Sequence, residues 1–459
     1  MRASRVYSLA LLCVGATTLV LGACQPALQE PVAALTPVTA ISDVTIIDFD
    51  GRRAQLIPGQ TVLVEGDRIT AIGSNLEIPA HATDIIGSEQ FLLAGFTEMH
   101  GHVPPATSFG QLPERYLDDV LFLYVANGVT TVRGMLGYPH QLQLKQDIAD
   151  GSRVGPTLYL AGPSFSGNSI ESVEQATQRV IDQRDQGWDL LKIHPGLTLE
   201  QYQALATTAA AADMDFAGHV PAAVGLENAL AAGQRTVDHL DGYLEHVDAL
   251  QRPITAAEIN QLVELSLRHG VTIVPTQALW QTLIGAGDAD ALMSYPELAL
   301  VPQQVRQGWF DFLASPRTAY FNELNAQQQQ QNRQQLLLAL VRAGVPMVFG
   351  TDAPQLFSVP GFSIHREIAT LQQAGLAIDE IIYSATIAAG DYFAEQDQFG
   401  RIAVGARADF MLLPGNPLTD ASAIERLEGV MLRGQWLDRG TIDARLAEIQ
   451  AAYQQPIGN

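Results

Sequence analysis

Two histidines stand two residues apart at the end of an apolar run, in the stretch QFLLAGFTEMHGH. Side chains at positions i and i+2 of a strand point to the same side, so His100 and His102 would project into one space. Imidazole nitrogens are ligands that zinc and related divalent metals accept. The pair therefore suggests a metal site and raises the question of which other residues complete it.

Further residues of ligating or basic type end other apolar runs. They are Lys192 in DLLKIHPG, His219 in DFAGHVP, His239 in TVDHLDG and Asp352 in VFGTDAP. Each is weak evidence by itself, because a lone histidine beside a loop is more often simply hydrogen-bonded and an aspartate before Ala-Pro often caps a turn. Their shared position at strand ends, together with the His-x-His pair, predicts a metal site.

The stretch between residues 94 and 392 alternates strand-like apolar runs with helix-like segments. The strand candidates, the first of which begins just before this stretch, are FLLAGFTEMH, VTTVRGM, TLYLAGP, DLLKIHP, DFAGHV, TVDHLD, VTIVPTQ and PMVFGTDAP. Eight strand–helix repeats predict an α/β fold, a (β/α)8 TIM barrel, whose active site would lie at the C-terminal ends of its strands. A doubly wound parallel sheet is the alternative.

The segments on either side of this stretch show a different pattern of apolar and polar residues. Residues 43–73 alternate apolar and polar positions between glycine-containing turns, which predicts short antiparallel strands. The same pattern returns in ARADFMLLPG and GVMLRGQWLDRG. We therefore expect one small β-sandwich assembled from both terminal segments, beside the barrel.

The N-terminal stretch has the layout of a secretory signal, with Arg2 and Arg5 before an apolar run that is short for a transmembrane helix. LGAC resembles the lipobox of bacterial lipoproteins, which implies a lipid on Cys24; a plain signal peptide is the alternative. Gln25 lacks the aspartate that retains some lipoproteins at the inner membrane. The expectation is an exported cell-envelope lipoprotein of the outer membrane, on either of its faces.

These patterns divide the chain into six segments. They are a signal peptide (1–23), a lipidated cysteine and linker (24–40), a first part of the β-sandwich (41–93), the barrel (94–392), a second part of the β-sandwich (393–440) and a C-terminal helix or tail (441–459). Between VTIVPTQ and PMVFG lie about seventy residues, more than an ordinary connection, which predicts a helical lid or pocket wall.

Charge and cysteine content limit the partners. The chain has 49 Asp and Glu against 26 Lys and Arg, a net charge of −23, so no basic stripe is available for nucleic acid. Cys13 and Cys24 are its two cysteines, and loss of the signal leaves no internal disulfide. The expected partners are a small-molecule substrate and the membrane through the lipid anchor, with a homo-oligomer left open.

Several polar residues near the expected barrel mouth are candidates for substrate contact, although ordinary loop packing explains each equally well. Arg133 or Tyr243 could bind a substrate carboxylate. The full set is Arg133, His140, His194, Tyr243 and His365.

These residues give the chain a family resemblance from about Asp43 to Gly440. GFTEMHGH, LLKIHPG, GHV, DHLDG, GTDAP and the run GRIAVGARADFMLLPGNPL resemble the amidohydrolase superfamily of metal-dependent hydrolases, and most of all its imidazolonepropionase-like and Xaa-Pro dipeptidase-like branch. The sequence departs from the family pattern at Ala94, Glu98 and Gly134, where proline, aspartate and aspartate are usual. None of these departures removes a ligand.

The resemblance implies roles for the six residues. His100 and His102 would bind one divalent metal, taken to be zinc, and His219 and His239 a second, while carboxylated Lys192 bridges the two. Asp352 would be a ligand and would carry a proton between the attacking hydroxide and the departing nitrogen. A site with a single metal remains if Lys192 is not carboxylated.

The expected function is hydrolysis of an amide-type C–N bond in a dipeptide or N-acyl amino acid by a metal-activated hydroxide. One alternative is hydrolysis of cyclic amides, imides or esters at the same site. The other is a lipoprotein that binds a solute without turnover.

Overall fold

The computed structural model describes residues 37–109, 112–315 and 325–454. The signal peptide, Cys24 and most of the linker lie outside these ranges, so export and lipidation stay predictions. Among the described helices, none combines the length and apolar character needed to cross a membrane.

The strands of the described residues begin near the N-terminus and return at the C-terminal end. They are β1 (Val38–Asp50), β2 (Arg53–Glu65), β3 (Arg68–Gly73), β4 (Thr83–Ile86), β5 (Phe91–Ala94), β6 (Phe96–Gly101), β7 (Val129–Gly134), β8 (Thr157–Leu160), β9 (Leu191–Ile193), β10 (Phe216–Gly218), β11 (Thr236–Asp238), β12 (Thr272–Val274), β13 (Phe410–Leu413), β14 (Gly429–Leu432) and β15 (Gln435–Asp438).

Helices of the described residues fill most of the connections between β6 and β13, and one more helix follows β15. They are α1 (Tyr116–Ala126), α2 (Gln141–Ala149), α3 (Val173–Gln186), α4 (Leu199–Ala211), α5 (Leu226–Ala231), α6 (Tyr243–His246), α7 (Ala256–His269), α8 (Gln277–Leu283), α9 (Ala289–Met293), α10 (Gln303–Leu313), α11 (Ala326–Arg342), α12 (Ser363–Gln373), α13 (Ile378–Ala385), α14 (Ile387–Tyr392) and α15 (Arg439–Gln454), with short 3-10 turns at Ala106–Phe109, Pro296–Leu300 and Ala421–Ala423.

Both ends of the described chain contribute to one sheet, in the order β15-β14-β13-β5-β1-β2-β3, with β4 also paired to β1. Its apolar positions pack into a common cluster that includes Ile41, Val62 and Phe410. The expectation of a β-sandwich is wrong in detail, because these strands form one branched sheet rather than two facing ones. Register shifts between Ile41 and Ile46 mark where β1 changes from pairing with β4 to pairing with β5.

The middle of the chain has the expected α/β character with parallel strands. One sheet has the order β6-β7-β8 and the other β12-β11-β10-β9, and every pairing within them is parallel. Isolated parallel bridges link the sheets at Ala161↔Leu190 and extend the second at Ile273↔Met347. In the described residues these pieces do not form the closed eight-stranded ladder that the sequence predicted.

The segment after Met347 takes the place of the eighth strand without strand pairing. Phe349 accepts a hydrogen bond from the Met99 amide at 2.8 Å, and the Asp352 amide donates to the His100 carbonyl at 2.7 Å. Between them, one carboxylate oxygen of Glu98 accepts the amides of His100 and Thr351, at 3.1 and 2.7 Å. The Glu98 carboxylate thus accepts hydrogen bonds from backbone amides that would pair with a neighbouring strand in a regular sheet.

The stretch between β12 and this segment is helical, as the sequence predicted for two of its parts. It contains α8, α9, α10 and α11. The glutamine-rich run forms the first half of α11, whose apolar stripe of Leu336, Leu337 and Leu340 is buried. This insertion therefore packs against the body of the protein through an ordinary amphipathic helix.

A buried arginine ties the terminal sheet to the parallel strands. Arg407 donates to Asp409 at 2.6 Å, to Asp397 at 2.5 Å and to the Thr131 hydroxyl of β7 at 2.5 Å. Arg407 and Asp409 are each only 2% exposed. Removing the guanidinium would leave a buried carboxylate without its counter-charge, which costs far more than loss of a surface ion pair.

We expect Arg407→Met to lower the free energy of unfolding by about 3–5 kcal/mol, measured by urea denaturation. Arg426→Met, which removes an exposed pair with Asp420, is the matched control and should change it by about 1 kcal/mol or less. Equal losses in the two variants would contradict a joining role for Arg407.

Candidate metal centre

Three candidate ligands lie within reach of a single ion. Ligand atoms of His100, His239 and Asp352 are all within 4.8 Å of one another, and the three residues are buried. The Asp352 carboxylate lies between the rings, with one oxygen 3.5 Å from His100 Nε2 and the other 3.7 Å from His239 Nε2.

The other three predicted ligands border the same cluster. His102 Nε2 is 2.6 Å from Asp352 Oδ1, and Lys192 Nζ is 3.2 Å from His100 Nε2. The ring of His219 lies 4.6 Å from that of His239, centre to centre. The structure thus brings all six side chains together, although they come from β6, β9, the ends of β10 and β11 and the segment after Met347.

Three of the four histidines have an oxygen atom behind the ring, at Nδ1. His219 Nδ1 is hydrogen-bonded to Asp241 at 2.5 Å and His239 Nδ1 to the Thr276 hydroxyl at 2.7 Å. His100 Nδ1 lies 2.7 Å from Asp238 Oδ2. An oxygen atom beside Nδ1 fixes the orientation of the ring. The lone pair of Nε2 can then bind a metal, as is usual for histidine ligands.

Sequence reasoning missed these oxygen partners. Asp238 and Asp241 flank His239 in TVDHLDG, and that acidic enrichment around one histidine was the available signal. Thr276 gave no signal, because a threonine before a helix is expected to act as a cap.

The donor set fits a divalent metal. His239 Nε2 is buried and has no hydrogen-bond partner in the described residues, a state that costs free energy unless another group satisfies it. His239 and Asp352 have φ angles of +65° and +63°, which non-glycine residues seldom adopt. Strained backbone of this kind clusters at functional sites. Three imidazoles around a carboxylate are donors that zinc accepts.

Burial favours the neutral forms of His100, His239 and Lys192. Loss of solvent, reinforced by neighbouring cationic groups, lowers the pKa of His100 and of His239 well below the usual range. Burial likewise lowers the pKa of the Lys192 amine. Because only a neutral imidazole has a lone pair to offer, this electrostatic environment favours ligation.

Glu98, one of the departures from the family pattern, lies beneath this cluster. It is fully buried, and burial raises the pKa of its carboxyl to about 8. Besides its two amide donors, it accepts a hydrogen bond from the Thr351 hydroxyl at 2.6 Å. Glu98 therefore joins β6 to the residue before Asp352 and holds two ligand-bearing segments together.

Arg133 lies behind the cluster, in a position that gives its predicted contact with substrate no support. It is fully buried and donates to the Met99 carbonyl at 2.6 Å, to the Thr236 hydroxyl at 3.2 Å and to Asp238 at 3.3 Å. Its guanidinium therefore supports Asp238, which lies behind His100. The sequence placed Arg133 at a strand end, but the alternation of the strand turns its side chain into the barrel interior.

Tyr243 and His365 are also placed away from the cluster. Tyr243 is fully buried, with its hydroxyl hydrogen-bonded to Ser266. The His365 ring is hydrogen-bonded to Asn127 at 3.1 Å, at the surface formed by α1 and α12. These placements give substrate contact no support, and both contacts stay predictions.

His140 and His194 have different surroundings. The ring contact that the structure gives His140 is with Tyr138, at 6.1 Å, and in the described residues it has no contact with the six predicted ligands. His194 is half-buried and stacks on His219 with ring centres 5.1 Å apart. Of the five substrate candidates, His194 alone borders the cluster in the described structure.

The helical insertion contributes a residue that the sequence did not single out. Arg333 of α11 is 4% exposed and donates to the His239 carbonyl at 2.7 Å. Its guanidinium lies 4.7 Å from the centre of the Trp280 ring, which is itself 5.8 Å from the His239 ring. The insertion therefore forms a wall beside the cluster, as expected, although nothing in the glutamine-rich sequence marked Arg333.

Comparisons with known proteins bear on the family and the fold. The amidohydrolase family profile matches residues 91–437. No curated protein is similar enough in sequence to match. The solved structure of bottromycin amidohydrolase is similar over 91% of this chain and 91% of its own, with 24% identity and a TM-score of 0.70.

Two further solved structures bear on the fold. A Xaa-Pro dipeptidase with bound methionine is similar over 87% of this chain and 100% of its own, with 19% identity and a TM-score of 0.65. A structure described as a putative prolidase from Bifidobacterium longum covers 90% and 99%, with 20% identity and a TM-score of 0.66. At these sequence identities the structural similarity shows only the fold, which is a TIM barrel with an additional β domain.

We expect Asp238→Asn to weaken zinc binding about 10–100-fold, because His100 loses the carboxylate behind Nδ1. Competition with a chelator of known affinity measures this. Asp185→Asn, at an exposed residue paired with Arg184, is the control and should bind zinc like the unaltered protein. Unchanged affinity in Asp238→Asn would show that the carboxylate does not support a metal ligand.

Proposed function

Because this chain belongs to the amidohydrolase family and is a hydrolase of carbon–nitrogen bonds, we propose that it cleaves the amide bond of a dipeptide or an N-acyl amino acid. The observation that carries this proposal is the convergence of six ligand-type side chains, three of them within reach of one ion. Two of the similar solved structures are described as a dipeptidase and a prolidase, which favours a dipeptide.

The proposed ligands are the six residues of the cluster. His100 and His102 would hold one divalent ion, taken to be zinc, and His219 and His239 a second, with Lys192 and Asp352 between them. Bound there, the ions would lower the pKa of a water molecule and polarise the substrate carbonyl. The Nδ1 partners Asp238, Asp241 and Thr276 keep the rings in position for this task.

Asp352 is the proposed proton carrier. Asp352 is 5% exposed, and its carboxylate lies 2.6 Å from His102 Nε2. Its backbone is held by the hydrogen bond that its amide donates to the His100 carbonyl. As water oxygen bonds to the carbonyl carbon, Asp352 takes the proton. It then protonates the nitrogen as the C–N bond breaks, and the products are an acid and an amine.

Lys192 is the proposed bridge between the two metal positions. Its amine is fully buried and lies 3.2 Å from His100 Nε2. An ammonium cannot bind a cation, whereas a neutral amine can add carbon dioxide and present two anionic oxygens. Carboxylation of Lys192 would also relieve the burial of an amine among histidines.

Substrate tests decide among dipeptides, N-acyl amino acids, and cyclic amides or esters. We expect the zinc-loaded protein to hydrolyse members of the first two classes, and Asp352→Asn to lose about 10²–10⁴-fold or more in kcat. Products of a mixed panel are identified by mass spectrometry. Asp311→Asn, at an exposed residue of the insertion, is the control and should keep the activity of the unaltered protein.

Each outcome of the panel has a distinct meaning. Cleavage of cyclic amides or esters alone would replace the proposed substrate class. Equal rates for Asp352→Asn and the unaltered protein would remove the proton-carrier role. Absence of any cleavage by zinc-loaded protein would favour a lipoprotein that binds a solute without turnover.

Lysine carboxylation can be observed directly, because the chain has only two lysines, Lys145 and Lys192. With 13C-bicarbonate and zinc present, we expect one carbamate signal in the 13C NMR spectrum. The signal should persist in Lys145→Ala, where the lysine pairs with Asp189 in a half-exposed position, and vanish in Lys192→Ala. A signal that is lost in Lys145→Ala instead, or no signal in any variant, would contradict carboxylation of Lys192.

A further inference from the structure

A second cavity lies at the end of the strands opposite the candidate metal centre. Its volume is about 580 Å³, and its walls include Arg235, Thr272 and Met347, which stand at the N-terminal ends of β11, β12 and the segment in place of the eighth strand. The predicted metal ligands occur at or beyond the C-terminal ends. The cavity is therefore separate from the site described above.

Arginines outnumber acidic residues, four to three, in the lining of this cavity. Four of them border it, namely Arg52, Arg53, Arg235 and Arg342. In the described part of the chain, neither Arg52 nor Arg53 has a carboxylate within 4.0 Å, and Arg235 lies 3.7 Å from its nearest one, on Asp215. Such a concentration of cations is notable in a chain with a net charge of −23.

The acidic residues of the lining are already occupied by other donors. Glu380 accepts from Arg342 at 2.9 Å and from the Ala377 amide at 2.8 Å. Asp379 accepts the Glu380 amide at 3.0 Å. The third, Asp391, is paired with Arg401 outside the lining. Among the lining arginines, Arg52, Arg53 and Arg235 have no carboxylate within hydrogen-bond distance in the described residues, whereas Arg342 is paired with Glu380. Asp379 keeps its negative charge in the lining, since its contact is with a neutral amide.

The remaining walls are apolar or aromatic. The Arg52 guanidinium lies 6.0 Å from the centre of the Tyr383 ring, and that of Arg235 lies 4.9 Å from the Tyr392 ring. Apolar lining comes from Val341, Val345, Pro346, Met347, Val348 and Ala388. A concave apolar surface with a few convergent polar groups is the usual form of a small-molecule site, and guanidinium groups recognise carboxylates and similar anions.

We propose that this cavity is a second binding site, for an organic anion with an aromatic or branched apolar body. The anionic group lies against Arg53 and Arg235, and the apolar body packs on the tyrosine rings and the Val345–Val348 wall. The volume suits a ligand the size of an aromatic carboxylate. This site is independent of the proposed hydrolysis, since none of its lining residues is a predicted metal ligand.

The test uses 2-naphthoate and its neutral counterpart 2-naphthamide as probes, with isothermal titration calorimetry on the purified full-length protein. We expect saturable 1:1 binding of 2-naphthoate and at least tenfold weaker binding of the amide. The Arg53→Ala, Arg235→Ala double variant should bind 2-naphthoate at least tenfold more weakly. Arg184→Ala, at an exposed arginine elsewhere, is the matched control and should bind normally.

Two further variants separate this site from the metal centre and from folding defects. His102→Ala, at the predicted metal ligands, should bind 2-naphthoate like the unaltered protein. Arg53→Gln, a conservative change at an exposed residue, should still weaken binding about threefold or more. Equal binding of the two probes, retention in the double variant, loss in His102→Ala, or no saturable binding of 2-naphthoate would each overturn the proposal.

Discussion

Buried nitrogen and oxygen atoms that have no protein partner must be satisfied by something, and this requirement governs the centre of the molecule. His239 Nε2 is buried without a hydrogen bond, beside a carboxylate that also reaches His100 and His102. Burial lowers the pKa of His100 and of His239 and so favours the neutral rings, whose lone pairs can bind a metal. A cluster built in this way is unfavourable until a cation binds, so the same burial that strains the fold prepares it for a metal.

The surrounding polar contacts serve that arrangement. Arg133 holds Asp238 behind His100, Glu98 joins β6 to Thr351, and Arg333 of the insertion holds the carbonyl of His239. Each contact reaches a ligand or its neighbour from a different element of the fold. The parallel strands bring the ligands to one end, and these buried side chains fix their direction.

The sequence predicted the elements better than the contacts. Apolar runs that end in His, Lys or Asp were enough to predict parallel strands. They also predicted that six residues lie close together, because the C-terminal ends of parallel strands lie at the same end of the sheet. The sequence did not predict that the Glu98 carboxylate would accept hydrogen bonds from the backbone amides of His100 and Thr351. Nor did it predict that Arg133 would turn inward, since both depend on distant partners. The hydrogen-bond partners of Tyr243 and His365, Ser266 and Asn127, are likewise distant in sequence, so the sequence did not predict them.

Anomalous X-ray scattering at the zinc absorption edge, on crystals of the zinc-loaded protein, tests the account most directly. The account predicts two peaks among the six side chains, each about 2.0–2.1 Å from its histidine nitrogens, with Lys192 between them. A single peak bounded by His100, His239 and Asp352 would retain the metal centre and remove the bridge. Peaks only elsewhere, or none, would contradict the assignment of these residues as ligands.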